Sequence, residues 1–518
     1  MKKIIAALSC LAVLTSMLAG CSSDSASAAL PNTASVDEVR KNVAATPATL
    51  TVPKYVFMFI GDGMSYPQFQ SASDYLGAVA EDKQTDKILN GGEMLSFMQF
   101  PVAGSANTYD STSFAPDSAS TATSLATGHK TYSGVINMDE TKTKSYETIA
   151  EKLKEQLGYK VGIISSVNLN HATPAAYYAH QASRNNYYEI GMEMITSGFD
   201  YFAGGALIQP TGSKKDKQDL YKLAELNNYK VIKTQAEAAK LTAKDGRAIV
   251  IGETLADGDA LSYDNDRKSG EWALKDYVSK GIEVLNNDKG FFMMVEGGKI
   301  DWACHANDAG STIADTLALD AAVQEAVKFY EQHPAETLIL VTGDHETGGL
   351  TIGYAGTNYD TYLSNLTNQK ISYAKFDSAY VAKYKKDKTS FATVLNDVEK
   401  LFGLTLEGNV KDGTDKQLIL TNYEFELLEA AYDRTMTVGT SSQSKMTQAE
   451  YQLYGTYEPL TVTVTHILNN KSGIGFTSYS HTGLPVAVFA QGAGADQFKG
   501  YYDNTEVYTK LAALTQVK

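Results

Sequence analysis

Three acidic residues stand where runs of apolar residues stop. Asp62 follows Tyr55 to Ile60 and a glycine. Glu296 follows Phe291 to Val295, and Asp344 follows Thr337 to Val341 and two small residues. Uninterrupted apolar runs of this length read as strands buried on both faces, and ligands collect beyond the carboxyl ends of such strands. One acid in that place usually forms a turn or caps a helix. Three acids at one edge repel one another unless cations lie among them, so the pattern points to a metal site. The chain has only 8 histidines, and one of them, His345, directly follows Asp344. Asp301 and His305 are four residues apart and share a face if their stretch is helical. Mixed imidazole and carboxylate ligation suits zinc, and all-oxygen ligation suits magnesium.

Ser118 brings a second chemistry. It follows Pro116-Asp117 and opens a run of small residues with reasonable helix propensity. At a helix N-terminus its hydroxyl would meet an anion where backbone N–H groups favour negative charge. Taken alone, Asp117 or Ser118 reads better as a helix cap. No histidine beside Ser118 in the sequence offers itself as a general base.

In combination these segments resemble the alkaline phosphatase family. The motifs are Gly61-Asp62-Gly63-Met64, Asp117-Ser118-Ala119, Thr173 with Arg184, Glu296 to His305, Asp344-His345 and His481-Thr482-Gly483, in the family's order. The match covers about 54 to 350 and resumes near 460 to 490. The resemblance implies two zinc ions and one magnesium ion. Asp301, His305 and His481 would hold the first zinc. Asp62, Asp344, His345 and Ser118 would hold the second. Asp62, Thr173 and Glu296 would hold magnesium. Ser118 would be the nucleophile, and Arg184 would grip two phosphoryl oxygens as a fork. His171 and Trp302 stand where some bacterial relatives carry Asp and Lys, in the shell around the ligands, and three roles stay open for His171: direct ligation of a metal, ligation through water, or none. The expected substrates are small phosphate monoesters, and the expected assembly is a homodimer. Two alternatives stay open: a phosphodiesterase of the same superfamily, and a non-enzymatic lipoprotein that binds phosphate or metal.

The elements that must position these residues follow from the pattern. Val161 to Ile164 and Val486 to Phe489 are further strand candidates, and helical patterns cover 146–157 and 313–332. Strands alternating with helices predict an α/β fold, a central, largely parallel β-sheet flanked by helices on both faces. Residues from about 355 to 460 lack that alternation and read as a large insertion, an extended loop region helping dimerisation, with two helices at 391–402 and 423–432. His129, His180, His333 and His466 read as packing or surface residues. Cys304 reads as a small buried residue.

Composition sets the remaining bounds. With 60 acidic against 45 basic residues the net charge is −15, which argues against nucleic-acid recognition. Lys2-Lys3, an apolar stretch to Met17 and Leu18-Ala19-Gly20-Cys21 resemble a lipoprotein signal over residues 1–20. A flexible tether over 21–48 and a catalytic domain over 49–518 would follow. Lipid on Cys21 would anchor the protein to a membrane, with the chain secreted across the inner membrane to the periplasm or cell surface. Of 3 cysteines only Cys304 would then remain free, which excludes an internal disulfide.

Overall fold

A computed structural model describes residues 52–81, 91–410 and 416–518. The expected signal segment and tether lie outside the described residues. Ten strands form the main sheet. In chain order they begin β1 (Tyr55–Gly61), β2 (Val102–Asn107), β3 (Lys160–Asn168), β4 (Tyr201–Gly205) and β5 (Tyr229–Ile232). They continue with β6 (Arg247–Ile251), β7 (Phe291–Glu296) and β8 (Thr337–Gly343). Two-residue strands β9 (Glu346–Thr347), β10 (Thr351–Ile352), β11 (Ile474–Gly475) and β12 (His481–Thr482) come next, before β13 (Val486–Gly492) and β14 (Gly500–Asp503) complete the sheet.

The sheet order is β14-β2-β13-β8-β1-β7-β3-β4-β6-β5. Every pairing is parallel except those of β13, which runs against both β8 and β2. The expected α/β fold is therefore found. β1 lies between β7 and β8, so the three acid-ended runs are neighbours. From β1 the chain goes to β2 on one side and then to β3 on the other, which makes this edge the place for a ligand crevice.

Alternation along the strands divides the core. Phe57, Phe59, Phe291, Met293, Ile339 and Val341 face one way, and Val56, Met58, Phe292, Met294, Leu338 and Leu340 face the other. Helices α1 (Tyr66–Glu81), α3 (Leu274–Leu285) and α5 (Ala309–Gln332) cover the first face; α2 (Ser118–Thr127) and α9 (Thr505–Thr515) cover the second. Between α3 and α5 lies the short α4 (Lys299–His305). Phe57 stands perpendicular to Phe291 at 5.2 Å and 5.7 Å from Phe329. Truncating a ring buried this way costs about 3–5 kcal/mol.

Two local expectations need correction. The pattern at 146–157 starts α-helical at Ile149, behind a capping box of Thr148 and Glu151, then widens into a π-helix over Leu153–Leu157. The insertion is not an extended loop. The two helices expected there are found, as α6 (Phe391–Phe402) and as α7 (Asn422–Thr437), which runs on past the expected end at 432; further short helices join them, and the expected end of the insertion at 460 falls inside α8 (Pro459–Lys471). α7 packs on α8, which buries an apolar stripe that a loop would leave exposed.

Candidate metal centre and nucleophile

Strand register sets the acids in place. Ile60 pairs with Glu296, and Gly61 with Gly343, so Asp62 and Asp344 follow side by side. Beyond β8 the chain turns into β9, which pairs with β12 and sets His481 opposite Thr347. Glu346 holds this turn: it accepts hydrogen bonds from the Gly349 and Leu350 amides, from Gln68 Nε2 and from the Thr482 hydroxyl. After β7 the chain enters α4, which sets Asp301 and His305 on one face.

The donor atoms gather in three groups. In the first, His305 Nε2 lies 3.1 Å from His481 Nε2 and 3.4 Å from Asp301 Oδ1, and His481 Nε2 lies 3.5 Å from Asp301 Oδ1. In the second, His345 Nε2 lies 3.2 Å from Asp62 Oδ1, 3.4 Å from Asp344 Oδ2 and 3.0 Å from Ser118 Oγ. Ser118 Oγ is also 3.4 Å from Asp62 Oδ1. The third uses the other oxygen of the same carboxylate. Thr173 Oγ1 lies 3.3 Å from Asp62 Oδ2, and His171 and Glu296 complete the group.

These spacings fit cations. Four donors at 2.0–2.1 Å around a tetrahedral ion stand ~3.3 Å apart, close to the edges of the first two groups. In the third, Glu296 Oε1 and His171 Nδ1 are buried without a hydrogen-bond partner. Buried atoms of this kind carry a penalty that a bound cation or its water removes.

The electrostatics point the same way. Burial, with the Asp62 and Asp344 charges, pushes the Glu296 carboxyl well above its ordinary range. Burial and Asp62 raise Asp344 to about 8. Burial alone would lower His345, but the Asp344 and Asp62 carboxylates outweigh it and raise the imidazole to about 10. Burial also opposes ionisation of Asp301, yet His305, His481 and His345 hold it well below the usual range. His171 is pushed down to about 4 by burial and by Arg184. Positive charge supplied at this edge would relieve the crowded carboxylates.

Ser118 is the first residue of α2, and Asp117 is its N-cap, accepting from the Ser120 amide at 3.1 Å. Asp117 also receives Arg184 Nη1 at 2.9 Å. Arg184 is placed by its own amide, which donates to the Gly134 carbonyl at 2.7 Å. Its Nη2 lies 3.4 Å from His171 Nε2. Trp302 packs edge-on to His171 at 6.0 Å.

Every residue singled out from the sequence thus lies at this edge. The bland readings of the other histidines also fit. His129 stacks on Tyr146, His333 packs on Tyr55, His466 meets Asn307, and His180 sits between Glu151 and Glu193. Cys304 is buried within α4. Sequence reasoning missed two contacts and reached a third, that of Ser118 with His345, only through the family resemblance. His345 stands beside Ser118 from 227 residues away. Thr347 Oγ1 donates to Asp301 Oδ1 at 2.5 Å and lies 3.3 Å from His345 Nδ1. The buried Lys299 ammonium lies 4.2 Å from the Tyr263 ring and 4.3 Å from that of Trp302. The position of Thr347 two residues after His345 was the available signal for its contact. Lys299 and Trp302, three apart on α4, share a helix face, whereas the contacts of Lys299 with Tyr263 and of Ser118 with His345 are set by tertiary packing.

Cation cradles that share a carboxylate, a serine at a helix N-terminus and a sequestered arginine are the equipment of a metal-dependent phosphoric ester hydrolase. Comparison with known proteins agrees. The alkaline phosphatase family profile matches residues 53–200 and 201–517. Alkaline phosphatase 4 of Bacillus subtilis (strain 168) is 31% identical over 460 residues, covering 87% of this chain and 86% of its own. The crystal structure of a cold-active alkaline phosphatase from a psychrophilic Shewanella sp. superposes with a TM-score of 0.69 at 27% identity, covering 89% of this chain and 99% of its own. That of Thermus thermophilus alkaline phosphatase gives 0.70 at 23% identity, covering 92% and 95%, and supports the fold. The chain belongs to the alkaline phosphatase family. With that membership come phosphomonoesterase activity and a need for divalent metal ions.

Proposed function

We propose that the protein hydrolyses small phosphate monoesters through a phosphoserine on Ser118. Two zinc ions would be held by Asp301, His305 and His481 and by Asp62, Asp344, His345 and Ser118. One magnesium ion would be held by Asp62, Thr173 and Glu296. The observation that carries this reading is Ser118 Oγ, 3.0 Å from His345 Nε2 and 3.4 Å from Asp62 Oδ1 at the start of α2. When bound, the ions lower the pKa of a hydroxyl or water and neutralise charge on the phosphoryl and leaving oxygens.

The chain's own groups do the rest. Arg184 takes two phosphoryl oxygens with its fork, and Asp117 holds that fork in place. The positive end of α2 favours the dianion. Ser118 Oγ displaces the alcohol in line, and a water then displaces Ser118 Oγ. Two inversions leave net retention at phosphorus. His171 serves through water rather than as a direct ligand. Its Nε2 faces a guanidinium donor, so the neutral ring carries its proton on Nδ1.

The test is hydrolysis of p-nitrophenyl phosphate near pH 9, before and after EDTA, with zinc and magnesium restored, beside Ser118→Ala. Activity lost to EDTA, regained with the ions and lowered at least about 1,000-fold in the variant is expected. A folded, metal-loaded chain without activity overturns the reading. The family resemblance also supports a homodimer, and the Leu18 to Cys21 pattern supports a lipid-anchored protein at the periplasm or cell surface. Sedimentation and mass spectrometry of the mature N-terminus test these.

A further inference from the structure

Phe114 stands out on the rim of this site. Its side chain is 85% exposed; among the described residues only Tyr359 exposes more of a large apolar side chain. A mobile loop would explain that exposure easily, but this loop is pinned. Asp110, 4% exposed, accepts from the Thr112 amide and hydroxyl and the Ser113 amide at 2.7 Å each, from Ser120 Oγ at 2.8 Å and from Ser133 Oγ at 2.5 Å. Burial works against its charge, but these donors hold its carboxyl below the ordinary range. The loop is thereby fixed to α2, whose first residue is Ser118.

The same loop is fixed to the first donor group. His481 Nδ1 lies 2.5 Å from the Pro116 carbonyl oxygen. A Cβ placed on Gly483 would stand 2.8 Å from the Phe114 carbonyl oxygen, so the Phe114 loop and the segment after His481 run side by side. That segment carries Leu484, 42% exposed, and Tyr109, 40% exposed, lies 6.5 Å from the Phe114 ring. The rim therefore presents apolar surface on a rigid support, with the conformational cost of ordering already met.

We propose that Phe114, with Tyr109 beside it, seats a flat apolar leaving group, so that the protein favours aryl over small alkyl phosphate monoesters. This rests on the phosphomonoesterase reading. The phosphoryl end of an ester is claimed by Ser118 and Arg184, so a ring on this rim meets only the part beyond the phosphorus–oxygen bond. An aromatic pair contributes roughly 0.5–1.5 kcal/mol beyond its area, which is about two- to tenfold in affinity.

The experiment uses the full metal-loaded chain and its Phe114→Ala and Phe114→Trp variants. It reads kcat/KM for phenyl phosphate and glycerol phosphate, inhibition by phenylphosphonate and methylphosphonate, and sedimentation. In Phe114→Ala, kcat/KM for phenyl phosphate falls and the phenylphosphonate inhibition constant rises by about two- to tenfold. Glycerol phosphate and methylphosphonate stay within about twofold, and Phe114→Trp restores the aryl preference. Equal change with both esters, no change with either, or a smaller particle on sedimentation overturns the proposal; the last would mean that a second copy covers the ring. If the unmodified protein hydrolyses neither ester, the phosphomonoesterase reading falls and this one with it.

Discussion

Arg184 Nη1 lies 2.9 Å from Oδ2 of Asp117, the residue immediately before Ser118. The ion pair couples the phosphate-gripping side chain to the helix cap that presents the nucleophile. Asp117 also accepts from the Gly134 and Ser120 amides, so one carboxylate fixes Arg184, the 132–135 turn and α2 together.

Asp117→Asn keeps the shape and removes the charge. Hydrogen bonds to charged groups are worth about 1.5–3 kcal/mol, so the competitive inhibition constant for inorganic phosphate should rise about tenfold or more. Unchanged inhibition would show that Arg184 needs no such tether.

Thr347 touches a residue of each of two groups, Asp301 at Oδ1 and His345 at Nδ1, the ring nitrogen turned away from the second group. Supporting contacts of this kind are worth about 10- to 100-fold in metal affinity. Thr347→Val should lose zinc to a competing chelator at correspondingly lower chelator concentration, with the thermal unfolding of the stripped protein little altered.

Glu296 ends β7 with one oxygen bonded to Ser165 and the other without a partner. In Glu296→Gln the magnesium concentration for half-maximal activity should rise about tenfold or more. Zinc content should stay the same, because Glu296 is outside the first two groups. Elemental analysis beside a magnesium titration checks both.

His180 lies 3.4 Å from Glu151 and 3.3 Å from Glu193. Burial opposes its charge, but the two carboxylates raise it to about 10 against an ordinary 6.5. The folded state therefore binds its proton more tightly than the unfolded chain does. The stabilisation is complete below pH 6.5 and disappears as the pH rises through 10. His180→Gln should lower unfolding free energy by about 1–3 kcal/mol at pH 6 and by almost nothing above pH 10. Urea melts at the two pH values read the difference.

The acids at the strand ends were legible because strands buried on both faces leave unbroken apolar runs, and Asp62, Glu296 and Asp344 mark where those runs meet polar surroundings. Asp301 and His305 were legible because helical spacing is local. The meeting of Ser118 with His345 was implied by the family resemblance alone, since strand order is decided by packing rather than by any signal near either residue. The β9–β12 ribbon was equally hidden: two residues per strand carry no periodicity, so the placement of His481 came from resemblance alone. Of the helices of the insertion, α6 was read to its bounds, 391–402, and α7 only from 423 to 432. α7 is capped by Thr421 and Glu424, but its mostly polar sequence buries a narrow stripe and gives a weak pattern.

β1 is the first strand among the described residues, and its two neighbours begin at Phe291 and Thr337. It cannot find either until most of the chain is present, and closing such long loops is slow. The donor groups come into being only when β7 and β8 have docked on it. Cations that bind there recognise the finished protein and not its precursors. They therefore act chiefly by slowing the escape from the native state. The ions would govern how long a folded molecule lasts, and have little influence on how quickly it forms.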